Sequence, residues 1–223
     1  MPDRKLDRLV RPPLAGGAPD SMVVLLHGLG SNSEDLMGLA PYWCDALPRT
    51  VFVSPDAPEP CDMAPMGFQW FSLQDRNPLV MARGIAIAAP LLAAFLDEVL
   101  AEHALPPERL ALVGFSQGTM MSLHVGLRRA VAPAAIVGYS GALLAGPELF
   151  LQVRARPPVL LVHGDADSVV SVAALDAAAI GLRAVGVSVE TERRPGLDHT
   201  IDEVGLARGR DFLVKALGAP APK

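Results

Sequence analysis

The pentapeptide Gly114-Phe115-Ser116-Gln117-Gly118 is the clearest chemical signal in the sequence. It matches the pattern G-x-S-x-G, in which a serine lies on a tight turn between a strand and a helix and projects its hydroxyl from the sheet edge. An apolar run precedes it over residues 110–113, and a helical pattern follows it over residues 117–130. The pentapeptide alone also fits an ordinary strand-to-helix turn, but this context favours Ser116 as a nucleophile.

A serine hydroxyl is a weak nucleophile, and it needs a base that is itself oriented by an acid. His199 follows the last predicted strand and is the candidate base. Two carboxylates, Asp165 and Asp167, follow the preceding predicted strand. Asp165 lies closest to the strand, where an aspartate can serve only to organise the turn. Asp167 lies further out on the loop, better placed to reach His199, and is the predicted acid, with Asp165 as the alternative. The resulting chain order of serine, aspartate and histidine is the one that accompanies this turn.

Acyl transfer through a serine also needs hydrogen-bond donors for the oxyanion of the tetrahedral intermediate. The backbone N–H of Gln117, directly after the candidate nucleophile, is predicted to be one of them. The other is predicted to be the backbone N–H of Leu29, because the glycines on both sides of it let the chain turn this amide towards the pocket. A phosphate-binding loop is the competing interpretation of this segment, but neither of the usual glycine-rich phosphate patterns is matched.

The composition is that of a folded, acidic protein. Of 223 residues, 51% are hydrophobic and 19% are charged, which excludes disorder as the general state. The net charge is −5 and no run of Lys or Arg exceeds two residues, which argues against a nucleic-acid or anionic-membrane surface. No pair of histidines has the spacing of metal ligands, so we expect no metal and no cofactor. His27 and His163 each end a predicted strand and are expected to support the site by hydrogen bonding.

Short apolar runs alternate with helical patterns, which is typical of βαβ units. The pattern predicts an α/β fold with a mainly parallel, twisted central sheet and helices on both faces. The predicted strands cover residues 22–26, 50–53, 110–113, 134–139, 159–162 and 187–193, the last of them near an exposed edge. The predicted helices cover residues 34–46, 80–102, 117–130, 172–184 and 203–217, and Pro90 is expected to kink or break the second.

We expect one domain over residues 1–223, with an N-terminal segment and loop over 1–20 and a flexible tail over 218–223. This length leaves no room for a large lid domain. The charged N-terminus is not followed by a signal sequence, and the longest nearly uncharged run is shorter than the roughly 18 residues that a membrane span needs. These features predict a cytoplasmic protein that is not inserted in a membrane, with free thiols at Cys44 and Cys61.

Residues 55–78 are rich in proline and are predicted to form a long irregular loop, which in a compact domain is usually functional or disordered. Their apolar content argues against disorder. Met66, Trp70 and Phe71 are predicted to line a pocket for an acyl group near Ser116, because methionine and aromatic side chains make an adaptable apolar wall. The alternative is that these side chains cover the sheet edge as ordinary core.

Four segments, in chain order, resemble the phospholipase/carboxylesterase family of α/β hydrolases, whose best-known members are acyl-protein thioesterases. They are residues 25–30, 114–118, 163–167 and 196–200, and the resemblance extends from about Val23 to Leu217. It implies an α/β-hydrolase fold. The site residues that it implies are Ser116 as nucleophile, Asp167 as acid, His199 as base, and Leu29 and Gln117 as oxyanion donors.

Two residues depart from the family pattern. Thr119 stands where a glycine is usual after the nucleophile turn, and it is expected to crowd the packing of the helix on the strand. Ser168 stands where a proline is common after the acid. Neither departure removes a catalytic group.

These features predict a serine carboxylesterase that hydrolyses small-molecule esters or thioesters through an acyl-serine intermediate. One alternative is an acyl-protein thioesterase or lysophospholipase that acts on long acyl chains. Another is a non-catalytic ligand receptor on the same fold, although a receptor has no need of the serine, the aspartate and the histidine together. The resemblance is also compatible with a homodimer.

Overall fold

A seven-stranded sheet lies at the centre of the computed structural model, which describes residues 5–144 and 149–218. Side by side, its strands are β1 (Arg8–Arg11), β3 (Thr50–Pro55), β2 (Ser21–Leu26), β6 (Leu110–Phe115), β7 (Ala135–Tyr139), β8 (Val159–Gly164) and β9 (Val189–Arg194). β1 runs antiparallel to β3, and the other neighbours are parallel. The predicted mainly parallel α/β fold is therefore confirmed, and β9 lies at the edge as expected.

The described residues contain six α-helices, which are α1 (Ser33–Met37), α2 (Pro78–Glu102), α3 (Gln117–Gly126), α4 (Leu149–Gln152), α5 (Ala173–Ala184) and α6 (Glu203–Leu217). Successive residues of β2 show that helices cover both faces of the sheet, because neighbouring side chains of a strand point to opposite faces. Met22 and Val24 pack in one buried cluster with residues of α2, α3 and α5. Val23 and Leu25 pack in a second cluster with residues of α1 and α6.

The N-terminal segment differs from the prediction, because residues 1–20 contain the strand β1 and not only a loop. Its sequence, Arg-Leu-Val-Arg, has no two-residue alternation that would predict a strand. Its place comes from backbone pairing with β3 and from an ion pair between Arg8 and Glu102 of α2 at 2.5 Å. Of the tail predicted for residues 218–223, only Gly218 lies within the described residues.

Three helices differ from their predictions, two in where they end and one in the effect of a proline. The helix predicted over 34–46 ends at Met37 and is followed by a separate 3-10 turn at Ala40–Tyr42, because Gly38 and Pro41 are poor helix formers. The helix predicted over 117–130 ends at Gly126. The helix α2 continues through Pro90 without the break that a proline can cause. Its buried face holds it against the core on both sides of that residue.

Among the described residues, α2 has the length and composition of a helix that could cross a membrane. It has 25 residues, and its most apolar stretch has a mean hydropathy of 2.1 and is 33% buried. Seven of its side chains are buried in the core, among them Leu92, Leu96 and Val99. A helix that covers one face of a central sheet needs such an apolar stripe, so packing explains the buried part of this composition, whereas Leu79 and Ile87 are 74% and 79% exposed.

Residues 55–78, predicted as a loop, contain a small two-stranded sheet of β4 (Glu59–Pro60) and β5 (Phe68–Gln69). The remainder of the segment lacks regular structure until α2 begins at Pro78. Cys44 is buried and Cys61 is partly buried, and both are free thiols, as predicted. The middle of the segment therefore forms a short hairpin.

Candidate active site

Ser116 lies on the turn between β6 and α3 in a backbone conformation that residues other than glycine rarely adopt. Its φ is 52° and its ψ is −114°, and such conformations cost about 1–3 kcal/mol and cluster at functional sites. The Ser116 N–H donates to the carbonyl of Tyr139 at 2.8 Å. Gly114 and Gly118 lie in direct contact, so that a Cβ on Gly114 would overlap the backbone of Gly118. The strand-to-helix turn predicted from the G-x-S-x-G pattern is therefore present.

Asp167 and His199 form a hydrogen-bonded pair between the loops that follow β8 and β9. Oδ2 of Asp167 and Nδ1 of His199 are 2.8 Å apart. The other carboxylate oxygen, Oδ1, accepts from the backbone N–H groups of Val169 and Val170 at 2.9 Å and 2.8 Å. Burial alone would raise the pKa of Asp167, but the hydrogen bonds from Val170, His199 and Val169 outweigh it and hold the pKa below its usual value. The carboxylate is therefore charged and fixed in place at neutral pH.

The His199 ring lies beside the nucleophile turn. Its centroid is 4.8 Å from that of Phe115, the residue directly before Ser116. Because an ionised carboxylate only accepts hydrogen bonds, Nδ1 of His199 donates to Oδ2 of Asp167. In the neutral ring Nε2 then has the lone pair that can take a proton. The structure thus gathers the three predicted residues at the carboxyl ends of β6, β8 and β9.

Two other aspartates hold the surrounding loops together. Oδ1 of Asp165 accepts from the backbone N–H at the start of the His199 loop at 2.7 Å. Oδ1 of Asp198 accepts from the N–H and the hydroxyl of Ser168 at 2.9 Å each, and from the N–H of His199 at 2.8 Å. Hydrogen bonds from Ser168 and His199 lower the pKa of Asp198. The structure therefore pairs His199 with Asp167, the carboxylate preferred from the sequence, whereas Asp165 joins its own turn to the loop that carries His199.

His163 is a further contact of Asp167. Its Nε2 lies 2.8 Å from the carbonyl oxygen of Val170 and 3.2 Å from Oδ2 of Asp167. Since a carbonyl oxygen only accepts, this nitrogen carries a proton, which lies between the Val170 carbonyl and Oδ2 of Asp167. Within residues 5–144 and 149–218, no three His, Cys, Asp or Glu side chains are grouped in a way that could hold a metal ion.

The backbone N–H groups of Leu29 and Gln117 have no hydrogen-bond acceptor among the residues that the structure describes. Gln117 is the first residue of α3, where an N–H has no partner within the helix. Leu29 follows Gly28, which lies against the nucleophile, since a Cβ on Gly28 would be 3.2 Å from Cβ of Ser116. Both N–H groups are therefore close to Ser116 in the chain or in space, as the predicted oxyanion hole requires.

His27 is fully buried and holds the peptide group that carries the Leu29 N–H. Its Nε2 accepts from the Ala57 N–H at 2.9 Å, so its Nδ1 carries the proton and donates to the Gly28 carbonyl at 2.7 Å. Burial lowers the pKa of His27, which keeps the ring neutral in this arrangement. Because the peptide group is planar and trans, fixing the Gly28 carbonyl also fixes the direction of the Leu29 N–H. His27 and His163 thus make the supporting hydrogen bonds expected from the sequence.

Comparison of the chain with known proteins agrees with this geometry. The family described as Phospholipase/Carboxylesterase matches residues 15–217. The chain belongs to the phospholipase/carboxylesterase family. The crystal structure of esterase PE8 is similar to this structure, with a TM-score of 0.92 and 40% sequence identity. The match covers 96% of this chain and 100% of the PE8 chain. The family and the α/β-hydrolase fold that the four motifs indicated are therefore confirmed.

The chain is also similar to more distant proteins. An acyl-protein thioesterase 1 of Gibberella zeae is 26% identical and covers 87% of this chain and 90% of its own length. Esterase YpfH of Escherichia coli is 25% identical, with 86% and 81% covered. The structure of Arabidopsis thaliana SOBER1, at 23% identity and a TM-score of 0.79 over 89% of this chain and 99% of that chain, shares the fold. Membership of this family makes the protein a hydrolase, as its motifs predicted.

The first departure from the family pattern, Thr119, is accommodated without the crowding expected from the sequence. A Cβ on Gly138 would lie 2.5 Å from Cγ2 of Thr119, and one on Gly141 would overlap the same side chain. Two glycines therefore leave the space that the threonine fills. The Thr119 hydroxyl lies 2.8 Å and 2.9 Å from the carbonyl oxygens of Gly114 and Tyr139, so it ties α3 to the two central strands.

The second departure, Ser168, adds contacts that the family's common proline could not make. Proline has no backbone N–H, whereas both the N–H and the hydroxyl of Ser168 donate to Asp198. Asp198 is next to His199 in the chain. The serine therefore fastens the loop of Asp167 to the loop of His199.

The three residues predicted to line an acyl pocket have different surroundings. Trp70 and Phe71 are only 2% and 5% exposed and lie in the core cluster that contains α2, which is the alternative left open for this segment. Met66 is 79% exposed and lies between β4 and β5. The next residue, Gly67, packs against the backbone of Gly30 beside Leu29. Contact between Met66 and a substrate stays a prediction.

The side chain of Gln117 is a part of the site that the sequence did not reveal. Its Oε1 accepts from the Trp70 N–H at 2.8 Å, and its Nε2 donates to the Phe71 carbonyl at 2.7 Å. These partners are 47 and 46 residues away along the chain. No local pattern marks such a contact, because the partners are backbone groups that any residue type could supply.

Proposed function

We propose that the protein hydrolyses carboxylic esters through a covalent acyl-Ser116 intermediate, with His199 as general base and Asp167 as its orienting acid. The observation that carries the proposal is the hydrogen bond between the buried Asp167 and the partly buried His199, beside the strained turn of Ser116. A buried charged carboxylate fixes one imidazole tautomer and stabilises the imidazolium that forms when the base takes a proton.

The reaction follows from this arrangement. Oγ of Ser116 attacks the ester carbonyl carbon while its proton passes to Nε2 of His199. The N–H groups of Leu29 and Gln117 donate to the resulting oxyanion. When the C–O bond to the alcohol breaks, His199 returns the proton to the leaving oxygen. Water then attacks the acyl-serine by the same steps, releases the carboxylic acid and restores the Ser116 hydroxyl.

Small esters are the proposed principal substrates, and thioesters are the second candidate. Esterase PE8 and esterase YpfH are named for ester hydrolysis, and the relative from Gibberella zeae is named as an acyl-protein thioesterase. The same attack by Ser116 serves both, because only the leaving atom differs between an ester and a thioester. Rates for matched oxygen and thiol esters, from acetyl to dodecanoyl, would rank the two classes.

The proposed function is tested with an activated ester and a fluorophosphonate. The ester is expected to give a burst of released chromophore, and the phosphonate is expected to bond to Oγ of Ser116 with loss of fluoride. Ser116→Ala is expected to lower kcat by at least about a thousandfold, because only binding and the oxyanion hole then remain. Ser72→Ala, on an exposed serine of another segment, is the matched control. Phosphonate on a different serine, or full activity of Ser116→Ala, would overturn the proposal.

A further inference from the structure

The two proposed oxyanion donors belong to different parts of the chain. Leu29 lies in the loop after β2, whereas Gln117 begins α3 after β6. An oxyanion hole works only when both N–H groups reach one oxygen at about 2.7–3.1 Å. Displacements near 1 Å in such a site cost roughly a hundredfold in rate. The spacing between these two loops is therefore a quantity that the fold must control.

Residues 68–71, here called the bracing segment, are hydrogen-bonded to both loops. At one end, the Phe68 carbonyl accepts from the Gly30 N–H at 2.9 Å, and the Phe68 N–H donates to the Ser31 carbonyl at 2.8 Å. These bonds hold the residues directly after Leu29. The indole N–H of Trp70 donates to the His27 carbonyl at 3.1 Å. This bond holds the chain two residues before Leu29.

At its other end, the bracing segment is hydrogen-bonded to the side chain of Gln117. The Oε1 of Gln117 accepts from the Trp70 N–H, and its Nε2 donates to the Phe71 carbonyl. Gln117 is fully buried, and Trp70 and Phe71 are nearly so. Water therefore does not compete for these bonds, and an apolar side chain in place of Gln117 would leave a buried donor and a buried acceptor unpaired.

From this arrangement we infer that the side chain of Gln117 is a positioning residue of the oxyanion hole. Through the bracing segment it sets the distance between its own backbone N–H and that of Leu29. The bracing segment thus supports the oxyanion hole in addition to packing in the core. The inference rests on the proposed hydrolysis at Ser116 and adds to it a residue that acts through another group and does not touch the substrate.

The test replaces Gln117 by methionine, which has a similar size and lacks both hydrogen-bonding groups. The backbone N–H stays. We expect kcat for a butyryl ester to fall about 10- to 100-fold, which is smaller than or similar to the fall in kcat when an entire oxyanion donor is removed. KM is expected to stay within about threefold of the wild-type value. Affinity for an alkyl boronic acid, whose adduct with Ser116 is tetrahedral, is expected to fall by a factor similar to the fall in kcat.

Gln69→Met is the matched control. Gln69 is also a buried glutamine of the bracing segment, but its side chain accepts from the Asp62 N–H within the same hairpin, and among the described residues it has no hydrogen bond to α3. This control variant is expected to lower the melting temperature without the selective fall in kcat at nearly constant KM that is expected of Gln117→Met. Gln117→Glu keeps the acceptor for the Trp70 N–H, and its kcat is expected to lie between those of wild type and Gln117→Met.

The outcomes separate the inference from the proposed function. An active wild type that loses activity in Ser116→Ala, together with Gln117→Met that keeps kcat and boronate affinity within about threefold, would overturn the inference alone. Equal losses of kcat in Gln69→Met and Gln117→Met would also overturn it, because they would show a merely structural role. An inactive wild type that the phosphonate does not label would overturn the proposed function, and the inference with it. If Gln117→Met does not fold, Gln117→Glu decides by the same comparison of kcat, KM and boronate affinity.

Discussion

Asp167 shows how a single residue acquires a defined role from its surroundings. Its carboxylate is fully buried, yet two backbone N–H groups and two imidazole rings surround it. Asp165, only two residues earlier in the chain, accepts from a backbone N–H of the neighbouring loop and lies at an exposed position. The two aspartates are therefore expected to respond differently to the same substitution.

Asp167→Asn is expected to lower kcat by roughly a thousandfold to ten-thousandfold, because an amide cannot stabilise the imidazolium of His199 and favours the wrong tautomer. Asp165→Asn keeps an acceptor for its backbone partner and is expected to leave kcat within about tenfold of wild type. Steady-state kinetics of the two purified variants measure the difference. A larger loss in Asp165→Asn than in Asp167→Asn would assign the acid to Asp165.

His124 is a second residue whose surroundings have a measurable consequence. It lies in α3 with a buried Nδ1. Burial, and to a smaller extent the positive charge of Arg128, lowers its pKa to about 4. An unfolded histidine has a pKa near 6.5. Between these values the unfolded chain binds a proton that the folded protein does not, so the free energy of unfolding decreases as the pH falls from about 6.5 towards 4.

His124→Leu removes this titration, so the variant is expected to lose less stability than wild type on acidification. Between pH 7 and pH 5 the difference in the change of unfolding free energy is expected to be at most about 2 kcal/mol, less if solvent screens the partly exposed ring. Urea denaturation of both proteins at the two pH values measures it. Identical pH dependence of wild type and variant would contradict the lowered pKa.

At the scale of elements, α3 and β7 are matched to each other through Thr119 and Gly138. A methyl group on Gly138 would meet Cγ2 of Thr119 at 2.5 Å and a Leu161 methyl group at 3.0 Å. Gly138→Ala is therefore expected to destabilise the protein by about 1–3 kcal/mol through overpacking. In a Thr119→Ser background, which keeps the hydroxyl and removes Cγ2, the same change is expected to cost less.

A double-mutant cycle by chemical denaturation checks this coupling. Gly126→Ala is a suitable control, because a Cβ there would meet side chains of Leu112 and Ile136 and not Thr119. Its cost is expected to be the same with threonine or serine at position 119. Additive costs for Gly138→Ala and Thr119→Ser would show that Thr119 does not determine the need for glycine in β7.

The hairpin of β4 and β5 carries the prediction for Met66. Because Met66 is 79% exposed and its neighbour Gly67 packs on Gly30, the side chain is placed near the loop of Leu29, where an acyl chain could contact it. Met66→Ala is expected to raise KM several-fold for medium-chain esters and little for acetyl esters, since each lost methylene contact is worth up to about 0.8 kcal/mol. Equal changes for every chain length would argue against substrate contact.

At the scale of the whole molecule, the candidate site and the strand β1, which covers one edge of the sheet, lie in different parts of the sheet. The candidate residues lie at the ends of β2, β6, β8 and β9, whereas β1 covers β3 at the opposite edge. β1 is joined to that edge by backbone pairing, and Leu6, just before it, is 6% exposed and packs in the core. An uncovered edge strand is a template for association with other chains.

Removing residues 2–11 is therefore expected to lower the melting temperature and to promote aggregation, because β3 becomes an exposed edge. The kcat of the protein that stays folded is expected to change little, because no candidate catalytic residue contacts β1. Thermal unfolding, light scattering and active-site titration with the phosphonate measure these three properties. A large fall in kcat per titrated site would show that the N-terminal strand influences the site.

Cytoplasmic location and homodimerisation stay predictions.

Much of the candidate site could be predicted from the sequence because its signals are local. Gly114 is required by its contact with Gly118 inside one turn, whereas Gly118 is required by its close approach to the backbone of Leu26 in β2. The pattern itself is nevertheless visible in five consecutive letters. The order of strands and helices was also predictable, since an apolar run or a helical stripe repeats within a few residues. The chain order of Ser116, Asp167 and His199 followed from this order of elements.

The tertiary structure alone decided which distant groups meet. The pairing of His199 with Asp167 and not Asp165, the contacts of Gln117 with residues 70 and 71, and the position of β1 beside β3 all join parts of the chain that are far apart. Such contacts depend on how whole elements pack, and their partners are often backbone groups that carry no residue-specific signal. The sequence by itself determined the chemistry that the site contains, and the packing of the sheet determined the distances at which that chemistry can act.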